Sequence, residues 1–302
     1  MLVDYVVPYV NMNDKRWQIL FKRYTHKDVS KNIERYRDYG TLKYQFRGID
    51  KFIPWIRHVY LVLQSPSQIP DWINTDHPKL KIVYHKDFIP KEFLPTFNSS
   101  VIEMWYNRIP GISNYFLVSN DDMIPIKPFK LEDYFRNGKP VYASKVLDTN
   151  TKLTRNGVWD HIHFNSRKLS SWLNGKRNII SYSCPHLIMP HTLEIWNEVW
   201  KKGKSFLIKS MENSKTRKIW NANHWLFRYY AIIAKKAILD MSIPHTGSCG
   251  IDSDEALERL KIIMKDASSL CINDGGYKGN NLSKKIDDLF KDILSEKSSF
   301  EK

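Results

Sequence analysis

Residues 115–123 read YFLVSNDDM, a short apolar run that ends in Asn120, Asp121 and Asp122. Aromatic and β-branched residues followed by a polar turn predict a buried strand. Two adjacent carboxylates at a strand end suit a Mg²⁺ or Mn²⁺ ion that takes its other oxygen ligands from a substrate diphosphate. Read in isolation, however, such a pair is more often a simple Asn-Asp turn. The surrounding sequence therefore has to decide between the two interpretations.

Strand and helix patterns alternate around this run. Strand character is also found in four other stretches bounded by turn residues, which are 3–10, 59–64, 80–85 and 140–147. Asp14 fits the N-cap of a first helix, and residues 42–56 show helical spacing. Ser100 and Glu103 fit a capping box at the start of a helix over 100–108. The alternation predicts an α/β fold with a mostly parallel, Rossmann-like sheet, in which ligands bind beyond the carboxyl ends of the strands.

The second half of the chain shows mainly helical spacing. Thr192, Asn221 and Ser283 each precede an amphipathic run and are predicted N-caps. Residues 248–254 and 274–281 are predicted loops. No repeat or linker separates the two halves. We therefore expect one unit over 1–302, with an α/β half (1–150) merged into a mainly helical half (151–302).

The charge of the chain indicates an anionic partner. It has 47 Lys and Arg against 32 Asp and Glu, a formal net charge of +15, and 42% hydrophobic residues. This composition is typical of a globular protein that binds nucleic acid, a phosphorylated substrate or an acidic membrane surface. The lysines are dispersed and match no nucleic-acid-binding motif, so a nucleic acid partner is not expected.

The cysteines and the hydrophobic pattern bear on location. Cys184, Cys249 and Cys271 are widely spaced without any CxxC pair, which argues against a disulfide framework or a zinc site and predicts buried free thiols. The sequence shows neither a signal peptide nor an apolar stretch long enough to span a membrane. We expect a cytoplasmic protein with peripheral contact to the anionic inner face of the membrane.

Segments spread over nearly the whole chain resemble the Stealth family of sugar-1-phosphate transferases. They are YVNMNDKRW from residue 9, RYRDYGTLKYQFRGIDKFIPWIRHVYLV from 35, HPKLKIVYHKDFIP from 77, LPTFNSSVIE from 94, RIPGISNYFLVSNDDM from 108, PHLIMPHTLEIWNEVW from 185, NSKTRKIWNANHWLFRYY from 213 and LCINDGG from 270. The resemblance implies transfer of a sugar 1-phosphate from a nucleotide-diphosphate sugar to a glycan hydroxyl. The products would be a nucleoside monophosphate and a phosphodiester in capsular or cell-wall polysaccharide.

The resemblance also implies roles for particular residues. His186 matches the reactive histidine and is the candidate general base, although a single histidine is more often structural. Arg217 matches the family arginine and would hold phosphate oxygens. Asp121 and Asp122 would bind the metal, and Asp122 is also placed in the catalytic set. The residues predicted to bind the donor are Asn11, Asp14, Asn98, Ser99, Asn120, Asn273 and Asp274. Glu103 is left out of the site because its capping-box position accounts for it.

The sequence departs from the family pattern at three places. Asn11 and Asn221 stand where the family usually has Asp, and Asn107 stands where it commonly has His. An amide keeps the size of a carboxylate but removes its charge, so metal affinity is expected to fall unless Asp14, Asp121 or Asp122 compensates.

Two other functions stay open from the residues alone. A metal-dependent glycosyltransferase would use similar acids but transfer the sugar without its phosphate. A non-catalytic basic protein would bind nucleic acid or an anionic membrane and turn over no nucleotide sugar. The expected partners of a phosphotransferase are a nucleotide-diphosphate sugar and a free or lipid-linked glycan.

Overall fold

The computed structural model describes residues 1–147, 155–183 and 186–302. The strands in these residues are β1 (Val3–Pro8), β2 (Val59–Leu63), β3 (Leu80–Tyr84), β4 (Tyr115–Val118), β5 (Met123–Pro125), β6 (Phe135–Arg136), β7 (Lys139–Tyr142), β8 (Met189–Thr192), β9 (Ile238–Leu239), β10 (Thr246–Ile251) and β11 (Ser269–Asp274). The α-helices are α1 (Lys15–Thr25), α2 (Thr41–Phe52), α3 (His85–Phe88), α4 (Ser99–Glu103), α5 (Val158–Leu173), α6 (Leu193–Met211), α7 (Trp225–Ile233), α8 (Asp254–Asp266) and α9 (Leu282–Phe290). The fold is therefore mixed α/β, as predicted.

A five-stranded sheet forms the centre of the molecule, in the order β3-β2-β1-β4-β8. Strands β1 to β4 pair in parallel, and β8 joins the edge antiparallel to β4. The mostly parallel sheet predicted from the sequence is confirmed. Two three-stranded sheets lie apart from it, β10-β11-β5 and β6-β7-β9. In the first of these, β5 pairs antiparallel with β11, so the chain that follows the Asp121-Asp122 pair is fixed to a strand from the second half.

Both faces of the central sheet are buried. Val6, Val62 and Val118 face a core that includes α6 and α7. Their neighbours Leu61 and Leu117 face the opposite core, which includes α2. Each such side chain contributes about 1.5–3 kcal/mol by leaving water. Burial on both faces explains why these strands read as continuous apolar runs rather than as alternating patterns.

Helix α2 packs against the β5 strand at unusually short range. A Cβ atom at Gly48 would lie 2.3 Å from the carbonyl oxygen of Pro125. Only glycine allows this approach of two backbones. The contact brings α2 close to the turn that carries Asp121 and Asp122.

The helix predicted over residues 100–108 is wrong in its start and its length. Asn98 is the N-cap of α4, and its side chain accepts a hydrogen bond from the Ser100 amide. The helix ends at Glu103, and a separate 3-10 turn covers Tyr106–Arg108. The capping box fails because Glu103 instead contacts His224, 121 residues further along the chain. A long-range ionic contact has therefore overridden a local pattern.

Other boundaries are partly confirmed. Asp14 and Thr192 cap α1 and α6 through their side chains, as predicted. Asn221 does not cap α7, which begins at Trp225 after His224, and Ser283 lies inside α9. The loop predicted over 248–254 is largely strand β10, and the predicted strand 140–147 ends at Tyr142. The second half holds β8 to β11 as well as five helices, so it is more mixed than expected.

The cysteine prediction is confirmed in part. Cys271 is buried and Cys249 is half-buried, and both are free thiols. Cys184 lies outside the described residues.

Candidate active site

A cavity of about 650 Å³ lies beyond the carboxyl ends of the parallel strands. Its walls come from both halves of the chain. The lining residues are Pro8, Tyr9, Val10, Trp17, Glu34, Arg35, Tyr36, Gln64, His85, Thr96, Phe97, Ser99, Ile102, Glu103, Asn120, Asp121, Asp122, Trp159, His163, His186, Arg217, Trp225, Asn273 and Asp274. This is the edge of the sheet at which the sequence predicted a ligand site.

The Asp121-Asp122 pair occupies the turn between β4 and β5, and its backbone is held from three directions. Thr41 donates to the Asp121 carbonyl, at 3.2 Å, and the Ile272 amide donates to the Asp122 carbonyl, at 3.0 Å. Gln45 donates to the carbonyl of Asn120 at 2.8 Å. Neighbouring groups therefore fix the main chain of the turn that presents both carboxylates to the cavity.

The two carboxyl groups bind protons more tightly than ordinary aspartates. Burial, the neighbouring Asp122 and the nearby Asp38 raise the pKa of Asp121 well above its usual value. Burial also raises the pKa of Asp122 to about 6, against the opposing effects of hydrogen bonds and of Arg217. Among the described residues, Oδ1 of Asp122 is buried without a hydrogen-bond partner. A buried oxygen left unpaired in this way is costly unless a ligand completes it.

His186 lies beside the acids and is uncharged at neutral pH. Burial, reinforced by His224 and Arg217 and opposed by Glu103, lowers its pKa to about 4. Its Nε2 atom is 3.1 Å from the amide nitrogen of Asn120, and its Nδ1 atom is 3.3 Å from Sγ of Cys271. With the Asn120 amide donating, Nε2 is an acceptor and the ring proton is on Nδ1, facing sulfur. This tautomer presents a basic nitrogen on the cavity side.

Arg217 supplies positive charge to the cavity lining. Its Nε and Nη2 atoms donate to Oγ of Ser99 at 3.1 and 2.7 Å, and its guanidinium lies 5.2 Å from the ring centre of Trp159. Burial lowers its pKa from the usual value, but an arginine stays charged at any ordinary pH. A guanidinium that is held by a hydroxyl and an aromatic face keeps N–H groups for an anionic ligand. The exposed Arg35 adds a second cation to the lining.

Asp274 and Asn273 come from the end of β11. Asp274 receives a bidentate contact from Arg37, at 2.7 and 2.8 Å, and a bond from the Gly276 amide. Burial alone would raise the pKa of Asp274, but these hydrogen bonds lower it below its usual value. Asp274 is thus largely neutralised by Arg37, whereas the amide of Asn273 makes long contacts, to Oγ of Ser248 at 3.3 Å and to Sγ of Cys271 at 3.5 Å.

Three predicted donor-binding residues do not line the cavity. Asp14 accepts hydrogen bonds from Ser67, Gln68 and the Arg16 amide. Asn11 accepts from the Asn13 amide. The buried Asn98 caps α4 and donates to Asn221 and to the Ser214 carbonyl. The structure gives each of them a local structural partner instead of a place at the site.

The three departures from the family pattern also lie outside the cavity lining. Asn107 bonds Asn197, and Asn221 lies in a buried network with Asn98, Ser214 and the Lys218 amide. The side-chain amide of Asn221 donates through its nitrogen and accepts through its oxygen, which a carboxylate could not do.

Several cavity residues were missed from the sequence. His163 and Trp159 lie four residues apart on α5, a spacing that also suits a core-facing helix. Burial lowers the pKa of His163 to about 3. Glu103, which the sequence assigned to a cap, lines the cavity and contacts Nδ1 of His224 at 2.7 Å. No sequence signal distinguishes these residues from core residues, because the strands and helices that face them are distant in the chain.

The described residues contain no group of three or more His, Cys, Asp or Glu side chains arranged to hold a metal ion. None of the helices within those residues is both long and apolar enough to cross a membrane.

Acids, an arginine and an uncharged histidine at the carboxyl edge of a parallel sheet are an arrangement that α/β enzymes use for phosphoryl chemistry. Comparison with known proteins agrees. Residues 35–142 match Stealth protein CR2, conserved region 2. The chain is 31% identical over 340 aligned positions to the capsular polysaccharide phosphotransferase WcwK of Streptococcus pneumoniae, with 99% of both chains covered.

Two other relatives extend this result. The receptor polysaccharide phosphotransferase WefC of Streptococcus oralis is 30% identical, with 99% of both chains covered. The exopolysaccharide phosphotransferase cps2G of Lactiplantibacillus plantarum is 28% identical, with 99% of this chain and 96% of the relative covered. The chain therefore belongs to the Stealth family of bacterial polysaccharide phosphotransferases, and it is a transferase.

Proposed function

We propose that this enzyme transfers a sugar 1-phosphate from a nucleotide-diphosphate sugar to a glycan hydroxyl and releases a nucleoside monophosphate. The names of its relatives support a capsular or other cell-surface polysaccharide as the product. The observation that carries the proposal is the convergence of Asp121, Asp122, His186 and Arg217 on one cavity. The strand order β3-β2-β1-β4 supports a Rossmann-like donor site, and a cavity lined by both halves supports a single catalytic unit.

His186 has the properties of the general base. The acceptor oxygen forms a bond to the phosphorus that bears the sugar, and the bond from that phosphorus to the bridging oxygen breaks. The acceptor hydroxyl displaces the Asn120 amide from Nε2 of His186 and passes its proton to that nitrogen. The ring can take the proton because its pKa of about 4 leaves it uncharged. A bound anionic donor would raise this low pKa towards the working pH, where a base is most effective.

Arg217 is suited to hold the diphosphate of the donor. Phosphoryl transfer depends mainly on positioning and on stabilising negative charge. The contacts of Arg217 to Ser99 and Trp159 fix the guanidinium before the donor arrives. Trp159, exposed at the cavity wall, could also stack on a sugar or base.

The two aspartates fit a divalent cation, Mg²⁺ or Mn²⁺. The unpaired Oδ1 of Asp122 and the raised pKa values of both carboxyl groups are the signs of a site that a cation would complete. Two protein carboxylates suffice for such an ion when diphosphate oxygens and water supply the other ligands. When bound, the ion would neutralise charge on the diphosphate.

Product analysis tests the proposal. Purified protein, Mg²⁺ and a panel of UDP-, CDP- and GDP-sugars with short glycan acceptors should yield a nucleoside monophosphate and a phosphodiester by phosphorus NMR. His186→Gln should lower the rate about 10²–10⁴-fold, whereas the matched variant His161→Gln, outside the cavity, should leave it within about twofold. A nucleoside diphosphate and a glycosidic bond would instead show a glycosyltransferase.

The acceptor and the location complete the proposal. We place the reaction at the cytoplasmic face of the membrane, on a free or lipid-linked glycan. The net charge of +15 supports contact with anionic substrates and anionic lipid. A protein that bound only to nucleic acid, with no turnover, would contradict this assignment.

A further inference from the structure

An exposed aromatic pair lies where α5 crosses α6. The rings of Trp172 and Phe206 are 4.5 Å apart in a T-shaped contact, yet 52% of Trp172 and 46% of Phe206 stay exposed. The crossing is close because a Cβ at Gly203 would lie 3.2 Å from the side chain of Leu173. The two rings are therefore presented together on the surface by two packed helices.

Single exposed apolar residues are common and need no explanation. Two large rings in contact, each about half exposed, form a continuous apolar patch instead. Aromatic side chains favour the boundary between lipid headgroups and hydrocarbon, where one part of the ring is apolar and its edge is wet. The pair thus has the character of a membrane-interface anchor.

The segments that carry the pair are basic. Residues 161–183 and 199–211 contain eight Lys and Arg and no Asp or Glu. Lys202 is paired with Glu198, and Arg167 contacts Tyr229. The other six are exposed: Lys168, Lys176, Arg177, Lys201, Lys204 and Lys209. Of these, Lys168 lies one turn before Trp172 on α5, and Lys209 lies one turn after Phe206 on α6. Lys176 follows the end of α5, and its amide donates to the Ser171 carbonyl beside Trp172.

We propose that Trp172, Phe206 and the exposed cations beside them, Lys168, Lys176 and Lys209, form a docking surface for an anionic lipid bilayer, here called the α5–α6 surface. The rings would enter the interface while the cations contact acidic headgroups, a combination typical of proteins that lie on membranes. Charge complementarity and the paired rings are the two features that select this partner.

The position of the surface relative to the cavity suits a lipid-linked acceptor. Trp159, on the cavity wall, and Trp172 lie on the same helix, 13 residues apart. At 1.5 Å per residue the separation along α5 is about 20 Å. A bilayer at the α5–α6 surface would therefore hold the cavity within reach of a glycan that extends from a membrane anchor. This point rests on the proposed function; the docking itself does not.

Vesicle binding tests the proposal on the full chain. Cosedimentation should show at least about tenfold stronger partition to vesicles of phosphatidylcholine with 30% phosphatidylglycerol than to pure phosphatidylcholine. Trp172→Ser with Phe206→Ser should lower partition to the anionic vesicles at least about fivefold. Lys168→Glu, Lys176→Glu and Lys209→Glu together should remove it at 0.1 M salt.

Matched variants separate this surface from general charge and stickiness. Lys278→Glu, Lys284→Glu and Lys291→Glu make the same charge change on exposed residues elsewhere, and Ile19→Ser with Ile262→Ser removes two other exposed apolar side chains. Both sets should bind within about twofold of wild type. Equal losses of vesicle binding in the test and control sets would overturn the proposal. It would also be overturned if the Trp172 and Phe206 variant lost binding to poly(dT) but kept binding to vesicles, because that result would indicate a nucleic-acid surface.

The same variants distinguish failure of this inference from failure of the proposed function. With a water-soluble donor and acceptor, the α5–α6 variants should keep wild-type turnover, and unchanged circular dichroism would show that they fold. Vesicle binding that needs the surface, without any turnover, would support docking while contradicting the phosphotransfer. If the enzyme turned over its donor but the α5–α6 variants bound vesicles as well as wild type, the phosphotransfer would be supported and the docking proposal contradicted.

Discussion

Two aspartates on neighbouring strands have opposite surroundings. Asp4, near the start of β1, is fully buried and accepts bonds from Nε of Arg57 at 2.8 Å, Nη2 of Arg57 at 2.5 Å and the Ser113 amide at 2.6 Å. Asp122, just beyond the end of β4, is half-buried, and its buried Oδ1 has no partner among the described residues. Only Asp4 is fully compensated within the protein.

The two aspartates lie at opposite ends of the parallel strands, Asp4 near a strand start and Asp122 beyond a strand end. Paired charges at the start of the sheet hold elements together, whereas unpaired charges at the carboxyl edge are left for a ligand. Sites of function commonly carry such a cost in stability. The comparison can be tested by exchanging the charge at each end and measuring activity and stability separately.

The largest effect is expected at the unpaired end. Asp122→Asn keeps the shape but removes the charge proposed to hold the cation, so turnover should fall at least about 10²-fold. Release of nucleoside monophosphate from the donor is the measurement. Asp133→Asn, on an aspartate outside the cavity, is the control. Near-normal turnover in Asp122→Asn would show that the unpaired carboxylate is not needed for activity.

At the paired end, the expected effect is on folding. Arg57→Ala leaves the carboxylate of Asp4 buried without its cation, which typically costs about 3–5 kcal/mol of unfolding free energy. Urea unfolding measures this loss, and Arg136→Ala, which breaks the more exposed pair with Asp240, should cost much less. Turnover per folded molecule should stay close to wild type in both variants. Equal losses of stability would show that burial does not set the strength of these pairs.

The pH dependence sharpens the contrast. Burial raises the pKa of Asp122 from 3.8 to about 6, so the folded state holds this proton more tightly than the unfolded state. Stability linked to Asp122 is therefore greatest below about pH 3.8, declines as the pH rises, and is fully lost above about pH 6. Asp122→Asn should raise Tm by about 2 °C or more at pH 7 in a chelator, with a difference that shrinks towards pH 4. A constant difference across this range would contradict the assignment.

The smallest effect is expected outside both sites. Asn11→Asp restores the family residue at a position that does not line the cavity, so turnover and Mg²⁺ dependence should change by less than about twofold. Titration of activity with Mg²⁺ is the measurement, and Asn107→His, which also restores a family residue, is the parallel case. A large gain in Mg²⁺ affinity in Asn11→Asp alone would place Asn11 in the site after all.

The central sheet could be predicted because its signal is local. Strands β1, β2 and β4 are buried on both faces and the edge strand β3 is partly buried, and each appears as one short, mainly apolar run within two residues of its observed bounds. The failures at Glu103 and Asn221 have the opposite cause. Both side chains are used in buried contacts more than 100 residues away along the chain, with His224 and Asn98. Local capping patterns carry no information about such partners.

The candidate site was predictable where a motif marked it. Asp121, Asp122, His186 and Arg217 were singled out from quoted segments, and the structure brings all four to one cavity. Trp159 and His163 were not, because helical spacing is the same for a side chain that faces a core and one that faces a ligand. Asp14 and Asn98 are the opposite case. The sequence marked both as donor-binding residues, but in the structure each caps a helix and lies outside the cavity lining.

The contact between Arg37 and Asp274 has a consequence for how the enzyme can be used experimentally. These residues are 237 positions apart, and the pair holds Asp274, which lines the cavity, in place. Pairings across such distances are typically late in folding, because long loops must close first. Turnover is therefore a signal that the whole polypeptide has matured. In a screen of unstable variants, catalysis would report completed folding more strictly than any probe of secondary structure.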